Sequence, residues 1–290
     1  MKTLARYDEA YHEKLDLYKK IIQSYNYSII LLKDAPIDVA TEVFTRINEG
    51  GKKLSLFEIM VAKTYDYGQF DLSEKYKQLI EELSPSNYET ISDATILQLI
   101  SIILEKDCKR QQILKLDKVT FIREWESVIV ALKKAVEHFK YTYRIPVSQL
   151  LPYNALIVPF AYFFYHHSNP PKGIIQDLLQ DFFWRCALSG RYSSSVESKL
   201  AQDVKKIDEI LKEKQPRYDW AVDVSADFVI KHGWFSASRS YVKAILCLYS
   251  FEQPKSFNSN AIVNISNYWL TRANSKNYHH FFLSHTLIEL

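Results

Sequence analysis

Only 6 glycines and 9 prolines punctuate 290 residues, and that scarcity constrains the fold of this chain more than any other feature. Sheet-rich folds turn tightly at short intervals, and such turns draw on glycine for a positive φ and on proline for a preset one. A chain with so little of either is expected to be helices joined by polar loops. Hydrophobic residues make up 47% and charged residues 24%, ordinary shares for a globular chain with a core, which exclude a disordered or fibrous one. The fold class expected is mainly α, a multi-helix bundle with a small α/β remnant at the N-terminus.

Periodicity gives the elements. Leu4, Tyr7, Tyr11, Leu15, Tyr18, Ile21 and Ile22 recur at spacings of three and four, which predicts an amphipathic helix from Leu4 to Tyr25. The stretch Tyr27 to Leu32 is β-branched and aromatic and predicts a strand. With no further strand evident nearby, it is expected to belong to the tail of a larger α/β unit. Pro36 and Asp38 open a helix that ends at Asn48-Glu49-Gly50-Gly51, and Ser55 with Glu58 forms a capping box for the next one, through about Tyr65. The longest stripe, Phe121, Trp125, Val128, Ile129, Leu132, Val136 and Phe139, predicts a helix over 118–141. Further helices are expected after Pro170-Pro171, after a Ser194/Glu197 cap, and over 240–250.

A formal net charge of +3, from 37 Lys+Arg against 34 Asp+Glu, is too small to argue for nucleic acid by itself, because non-specific binding needs clustered cations. The three cysteines, Cys108, Cys186 and Cys247, are far apart and lack a C-x-x-C partner, as expected of thiols in a reducing compartment. Residues 1–25 are charged throughout, so no signal peptide is expected and the location implied is cytoplasmic. The apolar segment 145–167 contains Pro146, Pro152 and Pro159 and is expected to be a buried helix rather than a membrane span.

Three stretches carry a resemblance. They are Val43-Phe-Thr-Arg-Ile-Asn-Glu-Gly-Gly-Lys-Lys-Leu54, Arg191-Tyr-Ser-Ser-Ser-Val-Glu-Ser-Lys-Leu200 and Asn277-Tyr-His-His-Phe-Phe282. In this order and spacing they resemble the GmrSD-type family of modification-dependent restriction proteins, over nearly the whole chain from about residue 5 to residue 282. That family joins a ParB/sulfiredoxin-like nucleotide domain, a helical region and an HNH-type nuclease. The resemblance implies a remnant of the first domain over 1–70 and a helical domain over 71–290 that ends in the start of an HNH-like motif. The family pattern F-x-x-I-N-x-G-G-x-x-L falls on Phe44, Ile47, Asn48, Gly50, Gly51 and Leu54. Paired glycines let a backbone approach a ligand closely, and Asn48 offers both a donor and an acceptor. Arg46, Asn48, Gly50, Gly51 and Lys52 are therefore candidate nucleotide- or phosphate-binding residues, with a simple helix stop as the alternative.

By the same resemblance His279 is a candidate metal ligand and His280 a candidate general base for a water attacking phosphate. The family's upstream D-G-Q-Q-R motif is not in this sequence, Leu283 stands where the family carries proline, and eight residues follow Phe282. Both histidines are thus expected to be vestigial and the chain to look truncated at both ends. No cofactor is expected for the chain as it stands, although the resemblance implies NTP and a divalent metal for full-length relatives. The function expected is a non-catalytic remnant, or the regulatory helical portion, of a phage-defence restriction protein. Alternatives are a stand-alone helical module that holds a protein partner or DNA, or an HNH endonuclease completed by another subunit. An oligomer is compatible with each, and a membrane is not expected as a partner. Arg185, Arg191 and Tyr192 are further candidates for lining a polar groove between helices, and His166 for closing a helix C-terminus.

Overall fold

The computed structural model describes residues 9–26, 29, 31–33, 35, 39, 43, 46, 54–232, 238–263 and 265–272. The chain divides into two compact units, Met1–Val43 and Phe44–Leu290. In the first, α1 (Glu9–Gln23) leaves Tyr11, Leu15, Tyr18 and Ile22 exposed. Of the strand expected at 27–32, Ile29, Leu31 and Leu32 are described, and they are exposed and in no regular element. Of the helix expected from Pro36, Val39, Val43 and Arg46 are described, and all three are helical.

The second unit is a multi-helix bundle. Its described elements are α2 (Leu56–Thr64), α3 (Leu72–Leu83), α4 (Asp93–Glu105), α5 (Arg110–Lys115), α6 (Lys118–Glu137), α7 (Ile157–His166), α8 (Ile174–Leu188), α9 (Val196–Ile210), α10 (Ala226–His232), α11 (Ser240–Phe251) and α12 (Asn267–Arg272). Strand-like pairing among the described residues is limited to two isolated bridges, Asp66 with Phe70 and Lys255 with Ile262. Helix α2 packs against α3, α4, α5 and α6, so residues 56–64 sit within the helical body.

The core is organised around α7. Its sequence is apolar on every face, and a helix of that kind must be surrounded. Ile157 through Phe164 are all buried, and α6, α4 and α9 pack around them. Pro159 falls in the first turn, where a missing N–H costs nothing. The buried helix expected over 145–167 thus starts at Ile157, and short 3₁₀ turns at Ser148–Leu150 and Asn154–Leu156 precede it. Helix α6 buries the predicted stripe, then widens into a π-helical turn at His138–Thr142. That wide turn carries Phe139 and leads to Tyr143, and both rings meet the core: Phe139 lies 4.7 Å from Phe160 and Tyr143 lies 4.6 Å from Phe183, centroid to centroid. Ring pairs at such spacings add about 0.5–1.5 kcal/mol beyond burial.

Local signals hold where the geometry allows. The Ser55/Glu58 box forms, with the Glu58 amide donating to Ser55 Oγ at 3.1 Å and the Ser55 amide to Glu58 Oε2 at 2.7 Å. The Ser194 cap does not form. Ser195 precedes α9, with φ +51 and no side-chain cap. A capping hydroxyl needs extended backbone at that position, and left-handed backbone costs a non-glycine residue about 1–2 kcal/mol. Among the described residues no helix is long and apolar enough to cross a membrane.

Candidate functional site

The loop from α8 to α9 carries the second of the three resembling stretches, and it is anchored from within. Arg191 and Tyr192 turn inward to Asp203, a carboxylate on α9 with no exposed surface. Arg191 grips it with both prongs, Nε to Oδ2 at 3.1 Å and Nη2 to Oδ1 at 2.8 Å. Tyr192 donates its hydroxyl to Oδ2 at 2.7 Å, and Arg191 Nη2 also reaches Gln202 Oε1 at 2.9 Å. A buried carboxylate is tolerable because three charge-assisted donors replace its water. Outside the pair, the Trp220 ring lies 4.0 Å from the Arg191 guanidinium carbon and 5.2 Å from Lys206 Nζ. Trp220 Nε1 donates to the Arg185 carbonyl at 3.3 Å. Two cations against the indole ring fasten the segment after α9 beside the Arg191–Asp203 pair. Arg191 and Tyr192 therefore do not line a groove. They are the fixed wall behind one.

The groove is in front of that wall. It encloses about 690 Å³ and is lined by the loop residues Ser189, Gly190 and Ser193, by Tyr153, and by the end of α10 and the start of α11. Tyr153 ties its two sides together, donating to the Ser189 carbonyl at 3.2 Å and lying 2.8 Å from Ser240 Oγ. Lys231 and His232 stand in the last turn of α10, and Arg239 is the residue before α11. Phe228 packs edge-on against Tyr241 at 5.1 Å and tilts against His232 at 4.4 Å. Among the described residues no carboxylate lines the groove. Helix α11 also begins there without a side-chain cap, which leaves its first amides and the positive end of its dipole facing the same space. Two cationic side chains, a histidine, a helix N-terminus, serines and an aromatic shelf together suit a phosphate-bearing ligand.

The described candidates singled out from the sequence are not among the residues that line this groove. Arg46 is helical and exposed. Asn48, Gly50, Gly51 and Lys52 lie outside the described residues, as do His279 and His280. Arg185 is held by Asp181, Nε to Oδ1 at 2.8 Å, and covered by the Tyr218 ring at 4.7 Å. His166 sits in the last turn of α7, edge-on to Tyr162 at 4.6 Å. Burial lowers its pKa, against the opposing pull of Asp208. Sequence reasoning missed Asp203, Lys231, His232 and Arg239. Asp203 had a detectable signal: it interrupts the apolar stripe of α9 between Leu200 and Val204, where a lone carboxylate calls for a buried partner. The other three have no such pattern, since the groove joins segments about 35 residues apart in sequence.

The search of protein-family models gave no match, and neither did the search of solved structures. The chain is similar to an uncharacterised protein of Methanocaldococcus jannaschii, 25% identical over 216 residues that make up 69% of this chain and 36% of the relative. The chain thus spans about a third of the length of the curated relative it matches.

Proposed function

We propose that this chain is the helical portion of a modification-dependent restriction protein and that its task is to hold nucleic acid in the groove beside the Arg191 loop. One observation carries the proposal: Lys231, His232 and Arg239 converge on a groove with no carboxylate among its described lining residues. Phosphates are attracted to such a concentration of charge through counterion release, whatever the sequence of the nucleic acid. Tyr241 and Phe228 add a surface on which an unpaired base can stack. The resembling stretch Arg191–Leu200 supports the same assignment, because its buried Arg191 and Tyr192 fix the Ser189–Ser193 wall against Asp203.

The test is fluorescence anisotropy with labelled single- and double-stranded DNA at several salt concentrations. Binding is expected to weaken as salt rises, with a log–log slope of about −0.7 to −0.9 per phosphate neutralised. Replacing Lys231 and Arg239 together by glutamate is expected to weaken binding by about tenfold or more and to shrink that slope by about two phosphates' worth. Salt-independent binding, or a double variant that binds as the parent does, removes the assignment.

A further inference from the structure

A second cleft lies on a different part of the helical unit. It encloses about 690 Å³ between the π-helical turn, the segment after it, and α11 with its following residues. Leu150, Leu246, Ile265 and Leu270 supply its apolar floor. Tyr141 and Tyr249 stand over it, 72% and 66% exposed. Its charged lining residues are Lys140 and Arg144, and among the described residues no carboxylate lines it.

Arg144 is built into place. It adopts φ +54, a left-handed conformation that is unfavourable for a residue with a side chain. Both ends of the residue are then fastened to the last turn of α11. Its Nη1 donates to the Phe251 carbonyl at 2.8 Å, its own carbonyl accepts from Ser250 Oγ at 2.6 Å, and its guanidinium lies 5.0 Å from the Phe251 ring. Lys140 likewise donates to a backbone carbonyl, that of Ser86, at 3.3 Å. Both cations are thus held by neutral acceptors, and neither is paired with a carboxylate among the described residues. The charge stays available while the side chains are already ordered, which lowers the entropic cost of a further contact.

We infer that this cleft is a docking groove for an amphipathic helix of a protein partner, one whose apolar face is flanked by acidic residues. The apolar floor suits anchors spaced at i, i+3 or i+4, and i+7 on a helix. Exposed tyrosines and a preordered arginine are the residue types that dominate binding energy at such interfaces. Charge chooses among occupants: two unneutralised cations on one rim attract carboxylates beside an apolar stripe and repel a basic one. Nucleic acid is the poorer fit, because an apolar floor gives phosphates nothing.

The probe is a fluorescein-labelled amphipathic peptide of about 18 residues, roughly five helical turns, with leucines on one face and glutamates flanking them. A control peptide carries lysines in place of the glutamates. The full chain is expected to bind the glutamate probe saturably, more weakly as salt rises, and to discriminate against the lysine probe. Arg144→Glu is expected to weaken the glutamate probe about tenfold and to shift preference towards the lysine probe. Tyr249→Ala, at an exposed position, is expected to weaken binding with unchanged melting temperature, which separates docking from folding. The inference is overturned by no saturable binding of the glutamate probe, by equal binding of both probes, or by Arg144→Glu and Tyr249→Ala variants that bind like the parent. Preferential capture by anionic lipid vesicles or by DNA at the same residues overturns it as well.

Discussion

Asp203 has no exposed surface, and Arg191, 12 residues before it, fills both of its oxygens from the loop side. Such a pair is a weak source of net stability, because desolvating two charges offsets most of their attraction. Removing one partner is another matter. Asp203→Asn keeps the shape but leaves a guanidinium 7% exposed with only the exposed Asp219 carboxylate, 4.0 Å from its Nη1, as counter-charge, and the expected cost is about 3 kcal/mol in urea unfolding. Arg191→Lys is expected to fare little better, since one ammonium cannot reproduce a two-pronged contact. If the groove depends on this wall, DNA binding weakens in both variants under conditions where they remain folded.

His138 predicts how the protein responds to acid. It is 6% exposed, at the π-helical turn, with the rings of Tyr143, Phe164 and Phe160 at 4.7, 5.4 and 5.9 Å. Burial pulls its pKa down to about 4, against about 6.5 in an unfolded chain. The unfolded state therefore takes up the proton first as pH falls. The stability contributed by neutral His138 is complete above pH 6.5, declines between 6.5 and about 4, and is gone below that. The loss amounts to about 3 kcal/mol for a shift of this size. His138→Phe is expected to flatten that part of the stability–pH curve, and a curve as steep as the parent's would place the acid response elsewhere.

The thiols should be inert while the protein is folded. Cys108, Cys186 and Cys247 are all free and buried. Burial is the first cause of their raised pKa values, about 12 for Cys108 and Cys247 and well above the usual range for Cys186. The thiolate is the reactive form, so a disulfide reagent at pH 8 is expected to label almost none under native conditions and all three in denaturant. Rapid native labelling of any one would mean that its helix opens locally.

What the sequence made legible was short-range. The stripe from Phe121 to Val136 marks the buried face of α6 because every position lies within a few turns of the next. Phe139 keeps its inward direction beyond Glu137, yet by a π-helical turn that no 3.6-residue pattern encodes. The Ser55 box forms because its partners are three residues apart. The Ser194 box does not form: Ser195 precedes α9 in left-handed backbone, in the loop whose Arg191 reaches forward to Asp203 on that helix's third turn. Both grooves are assembled from segments far apart in sequence, Tyr153 with Ser240 in one and Arg144 with Phe251 in the other. Composition averages such clusters away: a net charge of +3 gives no hint that Lys231, His232 and Arg239 share one wall.

Asn267 tests whether the last described helix is held by a single side chain. Helix α12 is 6 residues long, too short to stand alone in water. Asn267 is 4% exposed. Its Nδ2 shares two protons among three acceptors, the Asn87 carbonyl at 2.8 Å, Glu89 Oε1 at 3.0 Å and Ser148 Oγ at 3.1 Å. Its Oδ1 accepts from the Gln149 amide at 3.0 Å. Asn267→Leu keeps the branched side-chain shape but removes these bonds, at about 1–3 kcal/mol for each group left buried and unsatisfied. Hydrogen exchange is expected to show lost protection over 265–272 while α6 and α7 keep theirs, as befits a locally unfolding unit. Because Ile265 and Leu270 form part of the apolar cleft's floor, the same substitution should weaken binding of the glutamate-flanked peptide and leave DNA binding at the Lys231 groove intact. Equal loss at both grooves would mean that Asn267 supports the whole helical unit instead of its last helix.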